Sequence, residues 1–177
     1  AALYRLRDRL QAAPASAVAR DPVTFEPAQR QVTAADLAGT VRLFSYEAVT
    51  AALLPLTIDE ALRGNFAPLL GQEKLIMDAL SERLTDGVGL SVSCAEDADR
   101  LRPDPAAAKS LLGNSLVEYI LAGCEVWPHA SRPAQFDAPF HSPLPVLLLA
   151  GEFDPVTPAR YAEEIAAALP HARVLKA

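Results

Sequence analysis

Apolar residues recur at helical spacing at the start of the chain. Leu3, Leu6 and Leu10 stand three and four residues apart with arginines between them, which predicts an amphipathic helix over residues 1–13. From residue 14 to residue 31 this spacing is lost. The Asp-Pro and Glu-Pro pairs there predict short extended pieces and turns, because the residue before a proline avoids the helical conformation.

Two capping boxes mark the beginnings of the next helices. The Thr33 hydroxyl and the Asp36 carboxylate can bond the free amides of a first turn, so a helix is predicted from there to a stop before Pro55. The second box, residues 57–60, opens a short helix that Gly64 can terminate. The apolar face of the first of these helices consists of Leu37, Val41, Phe44, Ala48 and Ala51 or Ala52.

A third helix is predicted from about Ala67 to Thr85, with its stop at Asp86-Gly87. One stripe of this helix contains Leu69, Glu73, Ile76, Leu80 and Leu84. Glu73 is the only polar member of that stripe. Residues 33–86 thus form a three-helix segment whose apolar side needs a larger body to cover it.

After Gly87 the period of the pattern changes. Apolar and small residues alternate over residues 88–94, which predicts a strand with one apolar face. Residues 103–110 predict a loop that leads into a helix from about Leu111 to Gly123. Repeated prolines exclude regular structure across most of residues 127–144.

The last third of the chain predicts a β-α-β unit. Residues 145–150 are a continuous apolar run, typical of a central parallel strand that is buried on both faces. Thr157 and Pro158 predict the N-cap and first residue of a helix, and residues 172–175 begin another strand. The predicted buried stripe of the helix consists of Tyr161, Ile165, Ala166 and Leu169.

Composition and charge narrow the class of protein. The chain has 177 residues, 51% of them apolar, which suits one globular domain or slightly more. Every apolar run is cut well before the roughly 18–20 residues of a spanning helix, so no membrane span is predicted. A net charge of −6 without a Lys/Arg cluster argues against a nucleic-acid partner. Because the chain starts without Met and ends in an apolar run, we expect that both ends are cut.

The two cysteines, Cys94 and Cys124, lack the spacing and the nearby histidines of a zinc site, so no metal and no cofactor is predicted. If bridged, they would indicate an oxidising compartment, periplasmic or secreted. As two buried thiols they would leave a cytoplasmic location open.

Asp154 is the candidate catalytic residue. It follows the apolar strand, and functional groups of open α/β sheets gather beyond the carboxyl ends of strands. An acid there can accept a hydrogen bond from an imidazole N–H and stabilise the imidazolium that forms during catalysis. The alternative is a loop aspartate that forms an Asx-turn before Pro155.

The string PVLLLAGEFDPVTPARYAEEIAAALPHARVL, residues 145–175, resembles the acid-bearing strand, turn and helix of α/β-hydrolases. Three further stretches resemble the branch with tripeptidyl aminopeptidase-like and prolyl aminopeptidase-like serine peptidases: LPL with GNFAPL (54–56 and 64–69), SVSCAED (91–97) and AGCEVWP (122–128). Together the similar stretches cover roughly residues 20–177.

The resemblance implies a partial α/β-hydrolase fold: a helical lid plus the C-terminal β-α-β part of a parallel sheet. Residues 1–32 would connect from an N-terminal part, residues 33–86 would form the lid, and residues 87–177 would belong to the catalytic domain.

The resemblance also implies roles for single residues. Asp154 becomes the acid of a Ser-His-Asp triad, and Cys94 with Cys124 becomes a disulfide. Glu96 and Asp97 become the candidates that hold the α-amine of a substrate. The alternative for these two acids is a solvated helix N-terminus, where carboxylates suit the helix dipole.

The sequence departs from the family pattern at the other triad positions. A nucleophile elbow G-x-S-x-G is absent, and the nearest string, residues 89–93, lacks the closing glycine. His129 and His141 precede Asp154, the wrong order for the triad, and His171 lies between a helix and a strand. All three are predicted to be surface or packing residues. We therefore expect the serine and the base to lie outside these residues, and the 177 residues alone to be inactive.

The predicted function is that of a portion of a serine hydrolase, an aminopeptidase-like peptidase that acts on a peptide or small ester substrate. Two alternatives remain: an esterase of the same superfamily, and a non-catalytic module that binds a peptide or partner in an apolar groove. Without the first strands of a sheet, residues 146–149 would be an exposed apolar strand, so self-association through the sheet edge is also expected.

Overall fold

The computed structural model describes residues 1–81, 86–138 and 140–177, and it combines helices with two small sheets. The helices are α1 Ala2–Ala12, α2 Ala34–Phe44, α3 Ala48–Ala51, α4 Leu54–Leu62, α5 Ala67–Ser81, α6 Asp86–Glu96, α7 Ser115–Val126 and α8 Ala159–Ala167, with a 3-10 turn at Ala107–Lys109. The strands are β1 Ala15–Arg20, β2 Pro27–Val32, β3 Val146–Ala150 and β4 Ala172–Lys176. The elements fall into two compact units, residues 1–131 and 132–177. The predicted mixed α/β class is confirmed.

The core of the first unit is formed by α1, α2, α4, α5 and the hairpin β1–β2. The helix predicted at the start of the chain is confirmed as α1, which buries Leu6 and Leu10 at four-residue spacing. The buried cluster consists of Leu6, Leu10, Ala19, Val32, Leu37, Ala61, Phe66, Leu69 and Leu70.

The extended pieces predicted after α1 are an antiparallel hairpin. Strands β1 and β2 pair from Ala15 with Val32 to Arg20 with Pro27. At the tip, the Asp21 carboxylate accepts hydrogen bonds from the N–H groups of Val23 and Thr24, both at 2.8 Å. The tip also holds Phe25 at a φ of 62°, a left-handed conformation that is unusual for a bulky side chain.

The first capping box is confirmed at the start of α2. The Thr33 hydroxyl accepts from the Asp36 N–H, and the Asp36 carboxylate accepts from the Thr33 N–H at 2.7 Å. The continuous helix predicted from there to a stop before Pro55 is wrong, because α2 ends at Phe44 and α3 is a separate short helix. Side chains compete with the helical hydrogen bonds there: the Thr50 hydroxyl donates to the Phe44 carbonyl at 2.6 Å.

The second capping box is wrong. Helix α4 begins at Leu54 with Pro55 in its first turn, so Thr57 lies inside the helix and does not cap it. The Thr57 hydroxyl is buried, 3.0 Å from Gln72 Oε1 on α5. The predicted stop is confirmed: Gly64 follows the C-cap with a φ of 94°, which a glycine adopts without strain.

Helix α5 confirms the third predicted helix as far as Ser81, and its predicted end at Thr85 and the stripe residue Leu84 lie outside the described residues. Leu69 is buried, as predicted. Lys74 on α5 joins the hairpin to this helix, since its ammonium lies 3.3 Å from Asp21 Oδ2 and 2.7 Å from Asp78 Oδ2.

The strand predicted over residues 88–94 is wrong, because this segment is helix α6. The residues that face α7 follow a helical spacing: a Cβ at Gly87 would lie 3.2 Å from the Trp127 ring, and Leu90 packs against Gly123. The close approaches are at Gly87 and Gly123, whereas Gly89, one of the small residues that imitated strand alternation, has no described neighbour within 4 Å of the place of a Cβ. Val88 and Val92 are exposed.

Helix α7 begins at Ser115, later than the predicted Leu111, and ends at Val126. The absence of regular structure predicted for residues 127–144 is confirmed for the part that the structure describes. No helix within the described ranges is long and apolar enough to cross a membrane.

The second unit contains the predicted β-α-β unit. Strands β3 and β4 are parallel, in register from Val146 with Ala172 to Ala150 with Lys176, and α8 packs against both. The predicted burial of β3 on both faces is wrong, because Leu147 is 63% exposed and Leu149 is 71% exposed. In the described part of the chain β3 has β4 as its one partner, so α8 covers a single face.

The predicted details of α8 need two corrections. Its N-cap is Pro158, not Thr157, because the side chain of Thr157 bonds Asp154. Of its predicted buried stripe, Tyr161 and Ile165 are exposed, and Leu169, beyond the helix end, is buried. The small residues of α8 face the sheet, which leaves its larger apolar residues toward solvent.

Candidate functional site

Asp154 lies in the turn that joins β3 to α8, four residues beyond the end of the strand. Its Oδ1 accepts hydrogen bonds from the backbone N–H groups of Val156 at 2.8 Å and Thr157 at 2.9 Å. Its Oδ2 accepts a hydrogen bond from the Thr157 hydroxyl at 2.8 Å. The Asx-turn weighed as the alternative is therefore present, and it fixes the orientation of the carboxylate.

The same hydrogen bonds set the charge of Asp154. They lower the pKa of Asp154 below its ordinary value of 3.8. The hydrogen bond from the Thr157 N–H has the largest effect on the pKa, followed by the bond from the Val156 N–H and then by the bond from the Thr157 hydroxyl. The group is therefore ionised at neutral pH. An ionised carboxylate with a fixed orientation, just beyond the carboxyl end of a parallel strand, can accept a hydrogen bond from an imidazole and stabilise its charged form.

The parallel register separates His171 from Asp154. The His171 carbonyl accepts a hydrogen bond from the N–H of Val146, so His171 lies at the amino end of the strand pair. Asp154 lies beyond the opposite end. Five strand residues at about 3.3 Å each lie between the two ends, so His171 is not placed to bond Asp154.

Glu96 and Asp97 lie in the other compact unit, at the carboxyl end of α6. The alternative of a helix N-terminus is wrong for them, because residues 88–94 form a helix that ends here. Acids at this end face an unfavourable helix dipole, and Arg100 offsets it. Its guanidinium donates to the Glu96 carbonyl at 2.9 Å and lies 3.2 Å from Asp97 Oδ1.

Cys94 and Cys124 join α6 to α7. Their Cα atoms are 5.2 Å apart and the sulfurs are at disulfide distance. Both residues are buried, so the bond lies inside the helix pair. The Trp127 indole N–H extends this pairing, since it donates to the Ser91 hydroxyl at 3.0 Å.

A cavity lies between α2 and α5, lined in part by Thr40 and Glu73, and it was not predicted from the sequence. One sequence signal could have indicated it, because Glu73 interrupts an otherwise apolar stripe. A carboxylate among core positions requires a partner or a ligand. Thr40 gives no comparable signal, since threonine is common at half-buried helix positions.

The C-terminal part of the chain is similar to a known family. Residues 109–177 match a model of the α/β-hydrolases, a range that includes α7 and the whole second unit. Within this class the matching family is described as TAP-like protein. The helices and small sheets fit a partial α/β-hydrolase fold, and the match indicates a hydrolase. The comparisons with curated proteins and with solved structures found no match.

Proposed function

We propose that this chain is part of an aminopeptidase-like serine hydrolase in which Asp154 is the acid of a Ser-His-Asp triad. The observation that carries the proposal is the Asp154 carboxylate, ionised and oriented by three hydrogen bonds from Val156 and Thr157 beyond the end of β3. This observation lies within the residues that match the TAP-like family.

Asp154 would orient the imidazole of the catalytic histidine and stabilise its positive charge without taking a proton from it. Its carboxylate accepts the imidazole N–H, which keeps the opposite ring nitrogen free to take the proton of a serine hydroxyl. The negative charge then stabilises the imidazolium while the acyl group is transferred to serine. The serine and the imidazole are predicted outside these 177 residues, so no step is assigned to His129, His141 or His171.

Glu96 and Asp97 are proposed to bind the free α-amine of the substrate. Their carboxylates can accept charge-assisted hydrogen bonds from an ammonium group. The Arg100 guanidinium bonds the backbone carbonyl of Glu96 and lies 3.2 Å from the Asp97 carboxylate, so an ammonium group would have to compete with it at Asp97. Residues 33–86 are proposed to form the lid over the active site, with residues 1–32 as connector and residues 87–177 in the catalytic domain.

The role of Asp154 is tested by D154N in the protein encoded by the complete reading frame. Asparagine lacks the negative charge that holds the catalytic imidazole in the tautomer able to accept the serine proton. The kcat for an aminoacyl-p-nitroanilide should therefore fall about 10³–10⁴-fold. The matched control is E152Q, an exposed acid in the same turn, which should retain activity. Unchanged kcat in D154N would remove Asp154 from the triad.

The reaction class is tested with a fluorophosphonate probe and two substrates. The complete protein should bind the probe covalently and the 177-residue chain should not. Labelling of the 177 residues alone would contradict the predicted position of the nucleophile. Hydrolysis of an activated ester but not of any peptide anilide would favour the esterase over the peptidase.

The amine site is tested by E96Q and D97N with paired substrates. Each variant should raise KM for a peptide with a free N-terminus by about tenfold, and leave KM for the N-acetylated peptide unchanged. The control is E125Q, an exposed acid on α7. Equal effects on both peptides would mean that these acids do not bind the amine.

A further inference from the structure

The tetrapeptide Asp-Pro-Val-Thr occurs twice in the chain, at residues 21–24 and at residues 154–157. Both copies form the same kind of turn. Asp21 Oδ1 accepts hydrogen bonds from the two N–H groups beyond the proline, both at 2.8 Å. Asp154 Oδ1 accepts the equivalent pair at 2.8 Å and 2.9 Å. The first copy, at the tip of the hairpin, is therefore an internal reference for the second.

The two copies differ at the second carboxylate oxygen. Asp154 Oδ2 accepts a hydrogen bond from the Thr157 hydroxyl at 2.8 Å. Asp21 Oδ2 lies instead 3.3 Å from the ammonium of Lys74. The hydroxyl oxygen of Thr24 accepts a backbone N–H at 3.4 Å and does not bond Asp21. The bond between hydroxyl and carboxylate is therefore not a consequence of the tetrapeptide alone, because the same four residues form the turn without it.

The Thr157 hydroxyl is used for the acid and not for the helix that follows. A threonine beside the start of a helix usually accepts a first-turn N–H, as Thr33 does at α2. Thr157 precedes Pro158, the N-cap of α8, and α8 begins without a hydrogen bond from a side-chain cap. The proline also keeps Thr157 out of the helical conformation. The hydroxyl is thus held at the carboxylate, at the cost of a helix cap.

The hydrogen bonds leave one oxygen of Asp154 open to a further donor. A carboxylate oxygen accepts about two hydrogen bonds. Among the described residues Oδ1 already accepts two, whereas Oδ2 accepts only the one from Thr157. An imidazole N–H that approaches Asp154 therefore has its open position on Oδ2, next to the Thr157 hydroxyl.

The charge of Asp154 is also left open to a partner. In the hairpin the Lys74 ammonium offsets the charge of Asp21, whereas no cation of the described ranges pairs with Asp154. The charged side chains of its turn, of β4 and of α8 are Glu152, Arg160, Glu163, Glu164, Arg173 and Lys176. None of them shifts the pKa of Asp154, and Lys176 is paired with Glu163.

We propose that Thr157 is a positioning residue of the triad: its hydroxyl holds Oδ2 of Asp154 as the oxygen that accepts the imidazole N–H. This inference rests on the proposed function, because the imidazole is the one predicted outside these 177 residues. The hydroxyl has a second effect, since it draws charge from Oδ2. Without this donor Oδ2 is less well oriented, but it stabilises a neighbouring imidazolium more strongly.

The test is T157V in the protein encoded by the complete reading frame, since valine keeps the branched shape and lacks the hydroxyl. The kcat for an aminoacyl-p-nitroanilide should fall about fivefold with KM unchanged, because the accepting oxygen has lost one hydrogen bond. The acid limb of the pH profile of kcat/KM should move to higher pH, because the pKa of the imidazole rises. T157S, which keeps the hydroxyl, should restore both.

The matched control is T24V, the same substitution in the copy whose threonine does not bond its aspartate through the hydroxyl. T24V should leave kcat, KM and the pH profile unchanged. Carboxyl ¹³C NMR of the same proteins measures the two acids directly. T157V should raise the pKa of Asp154, and T24V should leave the pKa of Asp21 where it is, since the Thr24 hydroxyl does not contribute to it.

D154N separates a failure of this inference from a failure of the proposed function. If D154N keeps the kcat of the unaltered protein, the triad fails and the role of Thr157 fails with it. If D154N is slow and T157V is not, only the role of Thr157 fails. In the D154N background T157V should lower kcat no further, because Thr157 acts through Asp154. A further fall there would contradict that route.

Three more results would overturn the proposal. One is a T157V variant with unchanged kcat and an unchanged acid limb. Another is a T157S variant as slow as T157V, since the hydroxyl would then not be the cause. The third is a fall in kcat without a shift of the acid limb, which would mean that the hydroxyl supports only the fold of the turn.

Discussion

The two compact units differ in how much apolar surface they bury. In residues 1–131 the large side chains of Leu6, Leu37 and Leu69 are almost fully buried in one cluster. In residues 132–177, Leu169 is the one buried residue that the structure describes. Leu147 and Leu149 are exposed on the open face of the sheet, although parallel sheets are usually covered on both faces.

The comparison teaches that the main core and the candidate catalytic acid, Asp154, lie in different units. The unit with Asp154 consists of two strands and one helix, an arrangement too small to supply much stability by itself. The unit with the core contains none of the candidate triad. Substitutions should therefore separate stability from activity.

The largest expected effect is on the buried cluster. L37A should lower the free energy of unfolding by about 2–5 kcal/mol, because it leaves a cavity among close-packed side chains. L149A should change it by less than about 0.5 kcal/mol, since Leu149 is already 71% exposed. Urea unfolding measures both. Equal losses in the two variants would abolish the distinction between the units.

The next effect concerns the disulfide that joins α6 to α7. Replacing Cys94 and Cys124 by serine should lower the free energy of unfolding by about 3–4 kcal/mol, because the unfolded chain is no longer constrained by a loop of this length. Added reductant serves as the control: it should destabilise the unaltered protein and leave the variant unchanged. Two free thiols in freshly prepared protein would contradict the bond.

A smaller effect is expected on association through the second unit. The open edge of β3 and its exposed leucines form an apolar surface that a second copy can cover. L149K should reduce self-association measured by analytical ultracentrifugation, while V49K, an exposed residue of the first unit, should not. A monomer at every concentration of the unaltered chain would refute the expectation.

The smallest effect is a pH dependence of the first unit. Hydrogen bonds from Thr24 N–H and Val23 N–H, together with Lys74, lower the pKa of Asp21 below its ordinary value of 3.8. Asp21 therefore contributes stability above that value, which is lost as the pH falls through its lowered pKa. D21N should melt at a lower temperature than the unaltered chain at pH 6, and the difference should shrink as the pH falls below 3.8 and vanish once the pH lies below the lowered pKa of Asp21. A difference that persists there would exclude the charge as its cause.

Local signals predicted much of the fold. The capping box at Thr33, the glycine stop at Gly64 and the apolar run of β3 are confirmed, since each depends on contacts within a few residues. The strand predicted at 88–94 failed for a tertiary reason. Gly87, Leu90 and Cys94 face α7, and small residues between them imitate alternation when the partner helix is unknown.

The candidate sites also differ in whether local sequence signals could predict them. Asp154 could be selected from the sequence because the strand before it and the turn residues after it are consecutive in the chain. The cavity between α2 and α5 could not, because Thr40 and Glu73 are 33 positions apart and meet only when the two helices pack. The roles of Glu96 and Asp97 remain predictions, and the structure adds Arg100 as their neighbour.

The turn at Asp154 has a consequence for how firmly the acid is held. Its carboxylate bonds residues two and three positions further along the chain, so little loop-closure entropy opposes these bonds. A carboxylate held by distant elements loses its orientation when those elements separate. Asp154 keeps its orientation whenever this one turn is formed, so a unit with almost no core can still present a rigid acid.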